Sequence, residues 1–160
     1  MVHHFVYKFN PTSRKSAAIG ETDLSELIAN MEPQLNNGEY LFVPVSDSSN
    51  INRSDTIATF KEEEGTTLVL KKDSAKRLGF NTHFVASWIT LNVHSSLEAI
   101  GLTAAFSTEL AECGISCNVV AGYYHDHILV DWKNAKRTVG LLKRMAIQHK
   151  KTIKDKFEKK

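Results

Sequence analysis

Histidine and cysteine side chains are concentrated between residues 94 and 130, among Asp, Glu, Asn and Ser residues. His125 and His127 flank one aspartate, and in a strand this His-x-His pattern places both imidazoles on one face, a geometry that can bind Zn²⁺ or Ni²⁺. A third ligand would have to come from His94, Cys117 or the intervening aspartate, and the spacing does not decide among them. A metal protein or enzyme using these histidines therefore stays as one alternative. Hydrogen bonding and turn formation are the other.

Cysteine catalysis requires a thiol beside a histidine that acts as its base. Cys113 lies on the apolar stripe of a predicted helix, and Cys117 shares a strand face with Ile115 and Val119. We expect both to be reduced, buried thiols, which are usually inert. The sequence also contains no P-loop, Rossmann fingerprint, serine nucleophile elbow or zinc-deaminase motif. We therefore predict no catalytic residue and no cofactor.

The segment before Leu102 indicates a different kind of site. Ser95 and Glu98 fit a capping box, and Gly101 lets the backbone pass close to a ligand or to a neighbouring strand. Free N–H groups at the start of a helix attract anions such as the carboxylate of an amino acid, and Glu98 or Asp126 would meet its ammonium group. The alternative is that Ser95 and Glu98 only cap the helix and Gly101 only permits packing.

Hydrophobic periodicity indicates the elements that must position these residues. In a first unit, apolar residues at i, i+3, i+4 and i+7 from Leu24 follow an Asp23–Glu26 capping box and predict an amphipathic helix that Pro33 helps to end. A strand is predicted at 38–45, two more on either side of Glu64-Gly65, and a short helix at 71–80.

A second unit begins with an alternating strand at 87–93 and continues with a helix ended by Gly114. Two strands over 115–123 and 126–132 and a long helix follow. The orders α-β-β-β-α and β-α-β-β-α predict an α+β fold of two ferredoxin-like, βαββαβ-related units, each with helices over an antiparallel sheet. The first unit lacks a leading strand and the second a closing one, so strands would be exchanged between the units or supplied by a second chain.

These patterns place the domains at residues 21–85 and 86–160, with a basic terminal helix in the second. Residues 1–20 are expected to be a leader or linker, with an added edge strand at VHHFVYKF as the alternative. No apolar run approaches the roughly 20 residues that cross a bilayer, and there is no signal-peptide pattern, so we expect a cytoplasmic protein with no membrane association.

The net charge of +2 conceals a basic C-terminus, since residues 143–160 contain eight Lys or Arg and two Asp or Glu. A basic helix can contact nucleic acid or an acidic partner, but it is more often a solvated helix end. The aromatic RNP1 pattern of RNA-recognition domains is absent from the sequence. We therefore expect no nucleic-acid partner.

The residues GLTAAFSTELAECGISCNVV, 101–120, resemble the ACT-domain signature, in which a strand passes through a glycine-containing turn into a helix that ends at Gly-Ile before the next strand. WITLNVHSSLEAIG and NVVAGYYHDHILV make the chain similar to a bacterial family of small proteins with two ACT-like domains. The resemblance covers about residues 20–148. The C-terminal part is also similar to the ACT domains of CASTOR-type cytosolic arginine sensors and, more distantly, to the tandem ACT region of aspartate kinases.

In ACT proteins, small ligands that are often amino acids bind at domain interfaces near the turn between the first strand and the first helix. The resemblance implies a ligand site on this turn, with backbone groups of adjacent strands opposite it and a weaker set at its rim. Carried onto this chain, the turn residues are His94, Ser95, Ser96, Glu98, Ile100, Gly101 and Leu102, the opposite residues are Asn118, Val119 and Val120, and the rim residues are Tyr123, Tyr124, His125, Asp126 and His127.

The resemblance thus implies a regulatory or sensor protein that binds a small molecule and does no chemistry. ACT domains are commonly attached to an enzyme or a DNA-binding module, and no such module is recognised in this sequence, so we expect a stand-alone protein that signals through its own assembly or a partner's. Because edge strands of such sheets pair across subunits, we expect a homodimer or higher homo-oligomer. A purely structural ACT assembly is the alternative.

Overall fold

The structure is a computed structural model that describes residues 20–81 and 83–158. The sequence-based interpretation of residues 1–19 as a leader, linker or edge strand lies outside the described residues. The described chain forms the following helices and strands, in order: α1 Leu24–Asn30, β1 Pro33–Leu35, β2 Tyr40–Val45, β3 Thr56–Glu62, β4 Gly65–Lys71, α2 Lys72–Arg77, β5 Ala86–Leu91, α3 Leu102–Glu112, β6 Cys117–Ala121, β7 Asp126–Asp131 and α4 Ala135–Phe157.

The seven strands form one antiparallel sheet in the order β3-β4-β2-β5-β7-β6, with β1 also paired to β5. β1 and β2 lie end to end along the same side of β5, since Pro33 pairs with Leu91 and Tyr40 pairs with Ala86. The predicted α+β class with helices over an antiparallel sheet is confirmed. The two units share this sheet through β5.

β1 is a strand that the periodicity did not predict, because Pro33 was interpreted only as the end of α1. The flanking hydrogen bonds, from Asn92 N to Glu32 O and from Asn36 N to Trp88 O, are 2.9 Å long. Their alternation leaves Pro33 at a position whose N–H would point away from β5. Proline therefore disrupts no ladder hydrogen bond there.

The position of β1 explains the missing strand of the second unit. In a ferredoxin-like unit the closing strand lies beside the first strand, and β1 takes that place beside β5. The preceding helix belongs to the same core, because Leu27 and Ile28 of α1 are buried in one cluster with Phe106 of α3 and Leu142 of α4. The element that completes the second unit thus comes from the N-terminal part of the same chain.

Successive residues of β5 face opposite sides of the sheet, as a strand period of two requires. Ile89 and Leu91 pack beneath α1, α3 and α4, whereas Ala86 and Trp88 belong to a cluster on the helix-free face. A third cluster, under α2, contains Leu41, Val43, Leu68, Leu70 and Ala75. β5 therefore carries buried side chains on both faces of the sheet, although helices cover only one of them.

The long C-terminal helix α4 is amphipathic. Leu141, Leu142 and Met145 are buried on the sheet, whereas Ile147 and Phe157 are exposed among the lysines. Nowhere in residues 20–81 and 83–158 is there a helix both long enough and apolar enough to cross a membrane.

Candidate functional site

Residues 92–101 form the β5–α3 turn, which links the central strand to the first helix of the second unit. α3 begins at Leu102 after Gly101, which has a φ of +100° and no side-chain hydrogen bond that caps the helix. The capping box predicted at Ser95 and Glu98 is wrong, because the helix begins too far along the chain for either residue to cap it. The Glu98 N–H instead donates to Ser96 Oγ at 3.2 Å.

Residues 20–24 lie across this turn. Glu21 N donates to His94 O at 2.9 Å, and Ser96 N donates to Glu21 O at 3.0 Å, so the two segments form a short parallel bridge. A Cβ on Gly20 would lie 2.4 Å from Ser96 N, which is too close for any side chain, so this position requires glycine. The sequence contains no local signal for this contact, because Gly20 is simply the last residue of a Ser/Ala-rich stretch.

Gly101 makes a second close contact with the same segment. A Cβ there would lie 3.0 Å from Cδ2 of Leu24, and its positive φ already disfavours other residues. The sequence left two roles for Gly101, close approach of a ligand or close packing within the protein. The contact with Leu24 is an example of close packing. Leu102 is buried in the core with an exposed fraction of 3%, so its side chain faces away from the turn surface.

A buried carboxyl group lies beneath the turn. Asp126, at the start of β7, is 7% exposed and accepts a 3.3 Å hydrogen bond from Ser95 Oγ. Burial raises the pKa of Asp126, while the Ser95 hydroxyl and the nearby imidazoles of His127 and His125 lower it by smaller amounts. Burial thus disfavours the charged form of this carboxyl group, and a cation brought close to it would offset that effect.

Aromatic and apolar side chains surround the turn. The rings of His94 and Tyr124 are 5.8 Å apart, those of Tyr123 and Tyr124 are 4.9 Å apart, and His125 Nδ1 lies 3.3 Å from Val93 O. Leu97 and Ile100 are 67% and 86% exposed on the turn itself. Three of the five rim residues, Tyr124, His125 and Asp126, thus contact the turn, and Tyr123 packs on Tyr124.

The residues on β6 are distributed differently. Val119 packs into the core beneath the helices, whereas Val120 packs against the helix-free face. Asn118 pairs with Leu129 further along the strand, and its Nδ2 donates to Leu129 O at 3.3 Å. The structure therefore does not bring the side chains of these three residues together at the turn.

The three histidines in this region have separate partners. His127 points to the helix-free face, where its Nδ1 accepts a 3.1 Å hydrogen bond from Trp88 Nε1 and lies 3.1 Å from Thr90 Oγ1. Burial is the main cause that lowers the pKa of His127. Within the part of the chain that the structure describes, no group of three His, Cys, Asp or Glu side chains could hold a metal ion.

Cys113 and Cys117 are free and half-buried, and both pack against the helix-covered core. Burial raises the pKa of the Cys117 thiol, which favours the neutral, unreactive form.

Two sizeable clefts lie outside the predicted ligand site, although the first reaches Asn92 at the start of the turn. One of about 640 Å³ runs between β1 and α4, where Gln34, Asn92 and Lys143 are among its lining residues. The other, of about 550 Å³, lies beside β3 and contains Arg53. Neither cleft includes a residue of the predicted ligand site.

Comparison with known proteins places this geometry in a family. Two ACT-domain profiles match the chain, over residues 19–87 and 84–144. The solved structure of a Vibrio cholerae protein of unknown function, described as a possible transport protein, is 48% identical, with a TM-score of 0.69 over 77% of this chain and 95% of that one. No curated protein sequence matches the chain.

Two more distant structures share the fold. A protein from Agrobacterium tumefaciens is 18% identical, with a TM-score of 0.54 over 73% of this chain and 90% of that one. The structure of the alpha and beta subunits of an aspartokinase is 10% identical, with a TM-score of 0.50 over 71% of this chain and 95% of that one. Since consecutive ACT-domain matches span most of the chain and a 48%-identical relative shares its fold, this protein belongs to the ACT-domain family and carries two such domains in tandem.

Proposed function

We propose that this protein is a cytoplasmic sensor that binds a free amino acid at the β5–α3 turn and regulates assembly without catalysing a reaction. ACT domains have a regulatory role in which they bind small ligands. The observation that supports this site most directly is the Asp126 carboxyl group, buried beneath the turn and hydrogen-bonded to Ser95.

A free amino acid needs partners for one positive and one negative group. The Asp126 carboxylate would pair with the ammonium group, and that cation would offset the desolvation that now raises the Asp126 pKa. The N–H groups in the first turn of α3 would receive the carboxylate, because Gly101 provides no side chain that caps them.

Ligand binding at the turn would affect the position of residues 20–24. Their bridge from Glu21 to His94 and Ser96 covers the turn. A ligand that reaches Asp126 would therefore either displace this segment or bind in contact with it. A ligand biases an equilibrium only when its affinity differs between the states. Opening and closing of this bridge would provide two such states.

The exposed apolar side chains around the turn support assembly. Leu97, Ile100, Tyr123 and Tyr124 are all exposed and lie on two loops that the His94–Tyr124 contact brings together. An apolar patch beside a ligand site is a surface that a second copy of the chain would cover. We therefore propose a homodimer, or a higher homo-oligomer, whose contact the ligand strengthens or weakens.

A thermal-denaturation screen of the twenty amino acids tests the proposal. A ligand at 100 times its dissociation constant stabilises the folded state by about 2.7 kcal/mol. Asp126→Asn should remove the stabilisation, whereas the exposed control Asp73→Asn should retain it. If no amino acid raises the melting temperature of the wild type, the amino-acid proposal is wrong.

A purely structural ACT assembly is the second candidate, and the contact of residues 20–24 with the turn favours it. In that case the segment would fill the former ligand position permanently. Sedimentation velocity separates the two candidates: an oligomer that amino acids do not change and that persists in Asp126→Asn supports a structural assembly, whereas a ligand-dependent shift supports the sensor.

A further inference from the structure

The 550 Å³ cleft beside β3, here called the Arg53 cleft, lies in the first unit and is separate from the β5–α3 turn. Its volume falls within the range of about 300–1,000 Å³ that is usual for small-ligand sites. One part of its lining is polar and the other is apolar. The polar residues are Ser48, Arg53, Thr56 and Thr59, and the apolar ones include Ile51 and Leu68.

The charge of Arg53 is not neutralised by the rest of the described chain. The nearest carboxylate in sequence, Asp55, accepts a 2.7 Å hydrogen bond from Ser74 Oγ and lies 3.6 Å from Lys71 Nζ and 3.5 Å from an Nη of Arg77. Among the residues that the structure describes, none forms an ion pair with Arg53. A guanidinium group without a carboxylate partner is thus left at the wall of the cleft.

The loop that carries Arg53 is held by its own hydrogen bonds. Asn52 Oδ1 accepts from the N–H and the hydroxyl of Ser54, each at 3.0 Å, and Asp55 N donates to Asn52 O at the same distance. The Asp55–Ser74 hydrogen bond then ties the loop to α2. A ligand would consequently meet an ordered loop and would lose less binding free energy in ordering it.

β3 adds main-chain hydrogen-bonding groups to the cleft. It is an edge strand that pairs only with β4, and Glu62 and Gly65 close its two-residue hairpin. Because inward and outward groups alternate from that closing pair, the N–H and C=O of Thr59 point away from β4. Thr59 also lines the cleft, so its outward N–H is available to a ligand bound there.

We propose that the Arg53 cleft binds a small organic carboxylate, in addition to the amino-acid site at the turn. The guanidinium group of Arg53 would hold the carboxylate with two parallel hydrogen bonds, a geometry that lysine does not reproduce. Ile51 and Ile57, which line the cleft and are half-buried, would contact the apolar body of the ligand. This apolar wall distinguishes an organic carboxylate from inorganic phosphate, which would use only the polar half.

Amide chemical shifts of ¹⁵N-labelled protein test the site, with butyrate, acetate and inorganic phosphate as the probes. Butyrate should produce saturable shifts at Thr56 and Thr59, and acetate should require higher concentrations because it lacks the apolar contact. Arg53→Gln should weaken butyrate binding by about tenfold or more, since a charge-assisted hydrogen bond is lost. Arg53→Lys should weaken it as well.

The control is Lys61→Gln, which removes the same charge from an exposed position on β3 and should leave butyrate binding unchanged. Asp126→Asn should also leave it unchanged, which separates this site from the proposed amino-acid site. The proposal is overturned if butyrate saturates Arg53→Gln at the same concentration as the wild type, or if phosphate saturates the wild type at a lower concentration than butyrate does. It is also overturned if no probe produces a saturable shift at Thr56 and Thr59.

Discussion

The hydroxyl of Ser95 donates a 3.3 Å hydrogen bond to the buried carboxyl group of Asp126, and this contact joins the β5–α3 turn to the first residue of β7. The turn and the strand are far apart in sequence but share one polar contact inside the protein. Because Asp126 is buried, its protonation affects the stability of the fold.

Asp126→Asn should change the pH dependence of stability. The folded-state pKa of Asp126 is raised above its ordinary value of 3.8 by burial, so between these two values the folded protein binds more protons than the unfolded chain. The contribution of Asp126 to the free energy of unfolding is therefore complete below about pH 3.8 and is lost as the pH rises through the raised pKa. In urea denaturation across this interval, the free energy of unfolding of the wild type should fall relative to that of Asp126→Asn as the pH rises.

Ser95→Ala provides the matching comparison, because the Ser95 hydroxyl lowers the Asp126 pKa. Its removal should extend the pH interval over which stability is lost. A difference between wild type and Asp126→Asn that stays constant with pH would show that the carboxyl group is not desolvated in solution.

Gly101→Ala should destabilise the protein by about 1–3 kcal/mol, because alanine is strained at positive φ. Its Cβ would also lie 3.0 Å from Leu24 Cδ2. Gly140→Ala is the control, since Gly140 is inside α4 and a Cβ there meets only Arg144 Nη1, at 3.8 Å. This second change should stabilise by about 0.5–1 kcal/mol. Equal effects at the two positions in urea denaturation would contradict the assigned backbone conformations.

The Trp88–His127 hydrogen bond should make tryptophan fluorescence sensitive to pH. Burial lowers the His127 pKa below 6.5, so stability from neutral His127 is complete above pH 6.5 and is lost as the pH falls through the lowered pKa. In a Trp132→Phe background, which leaves Trp88 as the single tryptophan, the emission should change with a midpoint below pH 6.5. Protonated His127 no longer accepts from the indole.

His127→Gln in the same background should abolish this transition, whereas His149→Gln on α4 should preserve it. A transition that survives in His127→Gln would assign the titration to another group.

Leu27→Ala should destabilise the second unit although Leu27 precedes it in sequence. Leu27 is fully buried with Phe106 and Leu142, and replacing a buried leucine by alanine typically costs about 2–5 kcal/mol. Ser25→Ala, on the exposed side of α1, should have little effect. Hydrogen exchange should become faster at β5 and β7 amides in Leu27→Ala. Faster exchange confined to β3 and β4 would contradict the placement of α1 in the second core.

Local patterns were sufficient for most elements of the second unit. The alternation in β5 and the apolar stripe of α3 are properties of a few neighbouring residues, and Gly114 ends the helix region as predicted. The capping box was predicted wrongly because Ser95 and Glu98 have the right spacing, whereas the Ser95 hydroxyl bonds to Asp126, which the sequence places beyond α3.

The sequence by itself determined the α+β class, because hydrophobic periodicity is local, and its resemblance to the ACT signature at residues 101–120 indicated the family and the turn on which a ligand site is proposed. Only the tertiary structure decided that β1 is the closing strand of the second unit, that Gly20 and Glu21 lie on the β5–α3 turn, and that Asp126 is buried beneath it. Each of these depends on a contact between segments far apart in the chain. Such contacts are set by strand register and by close packing of backbones, which no local pattern of residues contains.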